Sequence, residues 1–511
     1  MWARGPSWGD RGRSVATMEA TPTTETTKQV VIERDVPEPA IAGLVEFVNR
    51  YYFPPKMKFI EALSYRKTES GDGFELFWRL KPVGPEQARP LPVALRISKA
   101  AIELDFPGLD PNDMSLESVV ARTVDEIEAV VFSYFQNIKT TSLYFVIGAT
   151  EEHSEAPDQR SPMSNAVKRV FAGNTTSLFL SFTLLSFALY FIIGVYTVFL
   201  LISVQLVALV ISDKIVYRLG SVRPNAERPL VTIASVRSNP ETLKAVSQHG
   251  KKILSKIRDE IARNATVASS AAANEELKGT VIGALLRHGI IASGSEITVK
   301  TRNVYRIVQE VSEKFSRQTP KITVANAIVS NASATGISSS RSTVMITAGS
   351  LEDLSDEELE AVIGHELGHV KGHDPVILFA ATSFEFLGRF FLWFPLLLYL
   401  GIFYFVLAFG AIFLIGKFLE TRADTESAVM LGNPGALASA LTKIGFRQLY
   451  REKYNPGTKL FDWFRFDPHP PIYFRIARLS RYSEKQKSVG HTLLISIRDI
   501  IVGFFSALFS A

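Results

Sequence analysis

The 511-residue chain contains no cysteine, which excludes disulfides, thiolate metal ligands and cysteine nucleophiles together, so any metal must be held by His, Asp or Glu. Hydrophobic residues make up 47% and charged residues 21%, averages that conceal strong segregation along the chain. The net charge of +5 is mild, and no basic run with interleaved aromatics points to nucleic acid as a partner.

Residues 1–28 are rich in Gly, Ser, Thr and Arg and lack an apolar stretch. A disordered tail is expected there rather than a cleavable signal, with Met18 a second candidate start. Residues 29–148 read as a soluble α+β domain, with strand-like runs at 30–32, 73–80, 91–97 and 142–147 and amphipathic helices near 39–51 and 115–137. It holds no catalytic constellation, which suits a regulatory or interaction module. The polar stretch 149–173 reads as a linker.

Residues 174–212 form the first expected transmembrane hairpin. The run 175–211 is uncharged, too long for one span of about 20 residues and right for two short ones turning at Gly194. A second hairpin is expected over 375–418, as spans 375–398 and 402–418. Its internal charges, Glu385 and Arg389, lie four apart and can pair on one helix face. A buried soluble helical hairpin is the alternative to each pair. Lys168, Arg169, Lys214, Arg218, Lys371, Lys417 and Arg422 flank the pairs, and the turns inside them are uncharged. That placement puts the long polar regions and both termini in the cytoplasm of a multi-pass protein of the plasma membrane.

Residues 213–374 are then a cytosolic region, with basic, Ala-rich helices over 240–275 and 301–316 and strands near 321–330 and 343–347. It ends in His365-Glu366-Leu367-Gly368-His369, an H-E-x-x-H pattern. Ser355-Asp356-Glu357-Glu358 is a capping box that starts its helix, and Leu359, Val362, Ile363, Leu367 and Val370 form the core-facing stripe. Residues four apart share a helix face, so His365 and His369 can grip one metal ion. Glu366 then stands where it can take a proton from a metal-bound water. An ordinary amphipathic helix bearing surface histidines is the alternative.

Zinc needs a third protein ligand. His373 lies eight residues beyond His365, about 12 Å along a helix, too far for the same ion. In 419–490, expected to complete the catalytic domain, Glu420 and Asp424 lie four apart where the second hairpin returns to the zinc helix. Glu420 is the candidate ligand, and Asp424 the candidate acceptor for the outer N–H of a ligand His. Charges that merely cap the end of a span are the alternative. Residues 491–511 form an amphipathic or membrane helix with a stripe of Thr492, Ser496, Asp499, Gly503, Ser506 and Ser510.

H-E-x-x-H, two spans, E-x-x-A-D at 420–424 and His469-Pro470-Pro471 occur in the order found in HtpX-type membrane zinc peptidases and CAAX prenyl endopeptidases, which the chain resembles. Asn331–Gly336, Val344–Gly349 and Lys371-Gly372-His373-Asp374 resemble further motifs of that family, while Ser333 stands where it usually has an aromatic. The resemblance covers roughly residues 300–480. It implies a zincin-like gluzincin domain with about four transmembrane helices in two hairpins, making the whole an α+β membrane protein with an added N-terminal α+β domain. It also implies one zinc per chain on His365, His369 and Glu420, with Glu366 as general base. Asn331, Ala332, Ser333 and Ala334 would lie on an edge strand that pairs with an extended substrate. His469 would stabilise the oxyanion or gate the open position, and Arg475 would fix its loop. The expected activity is endoproteolysis of membrane or misfolded proteins at the cytosolic face, in quality control. A CAAX-type processing peptidase, or a non-catalytic membrane adaptor whose structural metal site is closed by His469, are the alternatives.

Overall fold

The structure, a computed structural model, describes residues 27–32, 36, 38–68, 73–82, 90–99, 101–109, 116–148, 175–237, 251–264, 270–291, 297–392, 394–454, 459–482 and 492–509. The linker expected over 149–173 lies outside the described residues, as does the expected tail apart from Thr27 and Lys28. Two units divide the chain, Met1–Tyr134 and Phe135–Ala511.

In the first unit, period-two runs of apolar residues build an antiparallel sheet. Its strands are β1 (Thr27–Ile32), β2 (Ile60–Lys67), β3 (Phe74–Leu80), β4 (Leu91–Ile97) and β5 (Ile102–Pro107), in the order β1-β5-β4-β3-β2. Leu76, Trp78, Leu95 and Leu104 are buried from the sheet, and Leu44 and Val48 from helix α1 (Glu38–Tyr51). Tyr52 and Phe53 pack edge-on against Trp78. Tyr134, on helix α2 (Glu117–Thr141), donates from Oη to the Ala40 carbonyl at 2.9 Å.

The strand expected at 142–147 does not join this sheet. It is β6 (Ser142–Gly148), antiparallel to β7 (Leu230–Arg237), which pairs in turn with β8 (Ile297–Asn303). Between β6 and β7 come helices α3 (Thr175–Ile193) and α4 (Tyr196–Leu219). They turn at Gly194, whose φ of 61° suits glycine. Helices α5 (Lys251–Asn264) and α6 (Ala271–Arg287) cover β6–β8 with Ile257, Ile261, Val281 and Leu285. The helix expected over 301–316 starts later, because Asn303 ends β8 and its side chain caps helix α7 (Val304–Lys314) at Arg306 N–H.

A second small sheet follows: β9 (Lys321–Ala325), β10 (Ala332–Ser338) and β11 (Arg341–Thr347), in the order β10-β11-β9. β10 is antiparallel to β11 and stands at the sheet edge; β9 is parallel to β11. After the short α8 (Ala348–Asp353), helix α9 (Asp356–Lys371) starts on the expected capping box, with Ser355 Oγ accepting from Glu358 N–H and Glu358 accepting from Ser355 N–H. Leu359, Ile363 and Leu367 enter one core with Val308 and Val311 of α7 and Val344 and Ile346 of β11.

The second apolar block forms α10 (Asp374–Phe391), α11 (Phe394–Leu400) and α12 (Ile402–Leu431). Glu385 and Arg389 pair as expected, at 3.0 and 2.6 Å, and Tyr404 Oη donates to Glu385 at 2.9 Å. Among the described residues, α4 and α12 are the two helices long and apolar enough by length and composition to cross a membrane. α12 does not stop at residue 418. It runs unbroken to Leu431, so the apolar segment and Glu420 share one helix. Helices α13 (Pro434–Tyr454), α14 (Lys459–Phe464), α15 (Ile472–Ser480) and α16 (Thr492–Phe509) complete the chain. α16 seats only the start of its small-residue stripe: Thr492 and Ser496 are buried, and Ser496 Oγ lies 3.4 Å from Thr425 Oγ1 of α12, whereas Ser506 is exposed.

Candidate metal centre

Helices α9 and α12 cross closely because their facing residues are small. A Cβ on Gly368 would stand 3.2 Å from the Ala423 Cα, and one on Gly364 would stand 2.8 Å from Ser427 Oγ. Ser427 Oγ donates to the Ala361 carbonyl at 2.8 Å. This crossing brings Glu420 beneath His365 and His369.

The two imidazole Nε2 atoms are 3.1 Å apart. Glu420 Oε2 lies 3.4 Å from Nε2 of His365, and Oε1 lies 3.4 Å from Nε2 of His369. Among the described residues these three form a group whose ligand atoms all lie within 4.8 Å of one another. A tetrahedral zinc with bonds of about 2.0–2.1 Å spaces its ligands about 3.3–3.4 Å apart. Glu420 Oε2 is buried and makes no hydrogen bond, with His365 Nε2 and Arg475 Nη1 each 3.4 Å away, so it keeps a lone pair for a metal. The donor set and its spacing fit a zinc ion.

Behind each ring stands a carboxylate. Asp424 Oδ1 lies 2.9 Å from Nδ1 of His365, and Asp374 Oδ2 lies 2.7 Å from Nδ1 of His369. Arg475 grips Asp424 through Nε at 2.8 Å and Nη2 at 2.7 Å, and its Nη1 lies 3.4 Å from Glu420. Arg475 therefore braces Asp424, where its expected partner was the His469 loop. Arg422 holds Asp374 at 2.7 Å. In the sequence Asp374 stands out only as the end of Lys371-Gly372-His373-Asp374; its contact depends on the turn at His373, whose φ is 55°. His373 itself points elsewhere, its Nδ1–H donating to the Ile337 carbonyl at 3.2 Å.

Burial lowers the proton affinity of His365, but the Asp424 and Glu420 carboxylates outweigh it and raise the ring above its ordinary value. His369 stands well above the ordinary value, burial again being overcome by Glu420 and Asp374. Burial pushes the half-buried Glu366 carboxyl up. Glu366 Oε2 accepts a 2.8 Å hydrogen bond from Ala334 N–H, so β10 is tied to the glutamate of the motif. Asn331 faces the other way: its carbonyl accepts from Thr347 N–H at 3.1 Å. By the alternation of an antiparallel ladder, Ser333 faces β11 with Asn331, while Ala332 and Ala334 face the free edge.

His469 is brought to the rim and not into the group of three. Its Nε2 lies 3.5 Å from Glu420 Oε1, its Nδ1 lies 2.8 Å from Asp467 Oδ1, and its side chain is 53% exposed. Lys417 donates to the carbonyls of Arg465 and Asp467, which holds this loop against α12.

A family model described as Peptidase family M48 matches residues 298–483. A Protease HtpX homolog of Moorella thermoacetica is 31% identical over 220 residues, covering 36% of this chain and 73% of that protein. A Protease HtpX homolog of Thermococcus sibiricus is 33% identical over 215 residues, covering 35% of this chain and 74% of its own. The crystal structure of S. mikatae Ste24p aligns at 14% identity over 73% of this chain and 90% of that one, but with a TM-score of 0.26, too low to compare the folds. Relatives so similar over nearly three-quarters of their own length, and a family model that runs across α9 and α12 alike, place the chain in peptidase family M48, and it belongs to the HtpX-type membrane metallopeptidases.

Proposed function

We propose that the chain is a zinc endopeptidase with one ion per chain, hydrolysing peptide bonds of membrane or misfolded proteins at the cytosolic face in a quality-control role. The observation that carries this reading is the meeting of His365, His369 and Glu420 beside Glu366. His365, His369 and Glu420 hold the metal; Asp424 and Asp374 accept the Nδ1–H protons and so leave both Nε2 lone pairs free for it. When bound, zinc supplies Lewis-acid polarisation of the scissile carbonyl and makes water acidic near neutral pH.

Glu366 takes the proton of the attacking water. Its Oε2 is engaged by Ala334 N–H, which leaves Oε1 to carry that proton and return it to the leaving amine nitrogen as the C–N bond breaks. His469, oriented by Asp467, donates from Nε2 toward the oxyanion. Its place outside the group of three favours a group acting on substrate over a fourth ligand, and so favours catalysis over a closed structural site. The free edge of β10 pairs with an extended substrate, through the carbonyls of Ala332 and Ala334, while Asn331 and Ser333 secure the strand from behind.

The test is Glu366→Gln assayed on casein with zinc content measured in parallel. The variant keeps metal and fold and loses about 10²–10⁴-fold in rate. Cleavage at the parental rate would remove Glu366 from the mechanism.

A further inference from the structure

Helix α16 carries more than its packing on α12 uses. Ser496 meets α12 at Thr425, while Ile500 and Ala507 lie in a cluster with Trp463 and Phe418. The helix therefore descends along α12 toward the apolar stretch of that helix. Its other face is open and apolar, with Val502 60% and Phe509 84% exposed, and α14 adds Phe461 at 70% and Phe464 at 61%. Aromatic and aliphatic side chains exposed beside a spanning helix belong in the lipid interface.

Above this apolar skirt, α15 and α16 enclose a cleft of about 710 Å³. Arg478, Arg481 and Arg498 line it together with Tyr473 and Tyr482, and Val502 and Gly503 contribute apolar lining. Among the described lining residues, three guanidinium groups face one carboxylate, Asp499, which leaves an excess of positive charge. Arg478 is buried and committed to Asp499 at 2.8 Å and to the Thr421 carbonyl at 3.3 Å. Arg481 is exposed. Arg498 touches Asp499 at 3.0 Å but stays 69% exposed, a pairing that water largely screens.

We propose that this cleft binds the phosphate-bearing headgroup of an anionic membrane phospholipid. Arg481 and Arg498 meet the phosphate, and the acyl chains run down over Val502, Phe505 and Phe509. Positive charge above and exposed hydrocarbon below match an amphiphile with an anionic head; a free phosphate has no use for the apolar wall. Arg478 links the cleft to the backbone of Thr421, next to Glu420, so an occupied cleft bears on the turn of α12 that carries the third metal-facing group.

The proposal rests on the membrane reading above, and its readout is bound lipid, which is independent of peptidase activity. Full-length protein is placed in nanodiscs of phosphatidylcholine with or without phosphatidylglycerol, extracted, and its retained lipid identified by mass. The parent retains phosphatidylglycerol in preference to phosphatidylcholine. Arg481→Gln with Arg498→Gln loses that preference, each arginine by about fivefold, and Arg481→Lys with Arg498→Lys keeps it. A glutamine pair that keeps the parental preference for phosphatidylglycerol overturns the proposal, as does displacement of the lipid by inorganic phosphate. A chain that stays in solution without detergent would instead sink the membrane reading itself.

Discussion

Asp374 and Asp424 determine what the two histidines can offer a metal. Each carboxylate sits behind one ring and is itself held by an arginine, Arg422 for Asp374 and Arg475 for Asp424. A ring whose Nδ1–H is fixed outward presents Nε2 inward with less loss of freedom on binding. Asp374→Asn is expected to weaken zinc binding about 10–100-fold, read by competition with a chromogenic chelator, with secondary structure unchanged. The same carboxylates raise both rings above their ordinary proton affinity in the metal-free chain. A raised folded value means stability that is fully present below the unfolded histidine value of about 6.5 and is lost as pH rises through the folded values. The chelator-treated protein should accordingly melt higher at mildly acidic pH than at alkaline pH. Zinc competes with those protons, so zinc retention should run the opposite way, rising with pH. Parallel slopes for the two forms would contradict the coupling.

The decisive element contact is the crossing of α9 and α12. Gly368 leaves no room for a branched side chain against Ala423. Gly368→Val should cost about 1–3 kcal/mol in a chemical denaturation series and lower zinc content, because overpacking pushes Glu420 away from the histidines. Parental zinc content in a folded valine variant would mean that the spacing is set elsewhere. His365, Glu366, His369 and the Ser355–Glu358 capping box were legible in the sequence, because one helix carries them all and helical spacing is local. Glu420 and Asp424 were legible through their spacing of four, the E-x-x-A-D resemblance and the idea of a returning hairpin; that the apolar segment and both residues share one unbroken helix was not. Other contacts left no local trace. Strand β6 pairs with β7 across two apolar helices, and Arg475 reaches Asp424 from a helix 51 residues away. The Glu366–Ala334 hydrogen bond depends on where an edge strand passes over a helix, which no residue spacing encodes.

On the scale of the whole molecule, the membrane must lie so that α9 and the lower end of α12 share one aqueous side, since His365, His369 and Glu420 meet there. The basic residues Lys214, Arg218, Lys371 and Arg422 flank the apolar helices on that side, and the turns near Gly194 and Gly401 carry no charge. The proposed orientation, with the basic residues in the cytoplasm, puts those turns outside. The absence of cysteine makes this measurable with single introduced thiols. Tyr196, 73% exposed, and Tyr399, 87% exposed, stand beside the two turns, and Ser340 is exposed in the turn to β11 that follows β10, the strand that reaches Glu366 through Ala334. In intact cells, Tyr196→Cys and Tyr399→Cys should react with a membrane-impermeant maleimide, and Ser340→Cys should react only after permeabilisation. Labelling of Ser340→Cys from outside would invert the orientation. Labelling at only one of the two tyrosine positions would break the paired-hairpin topology and leave α4 and α12 in unequal roles.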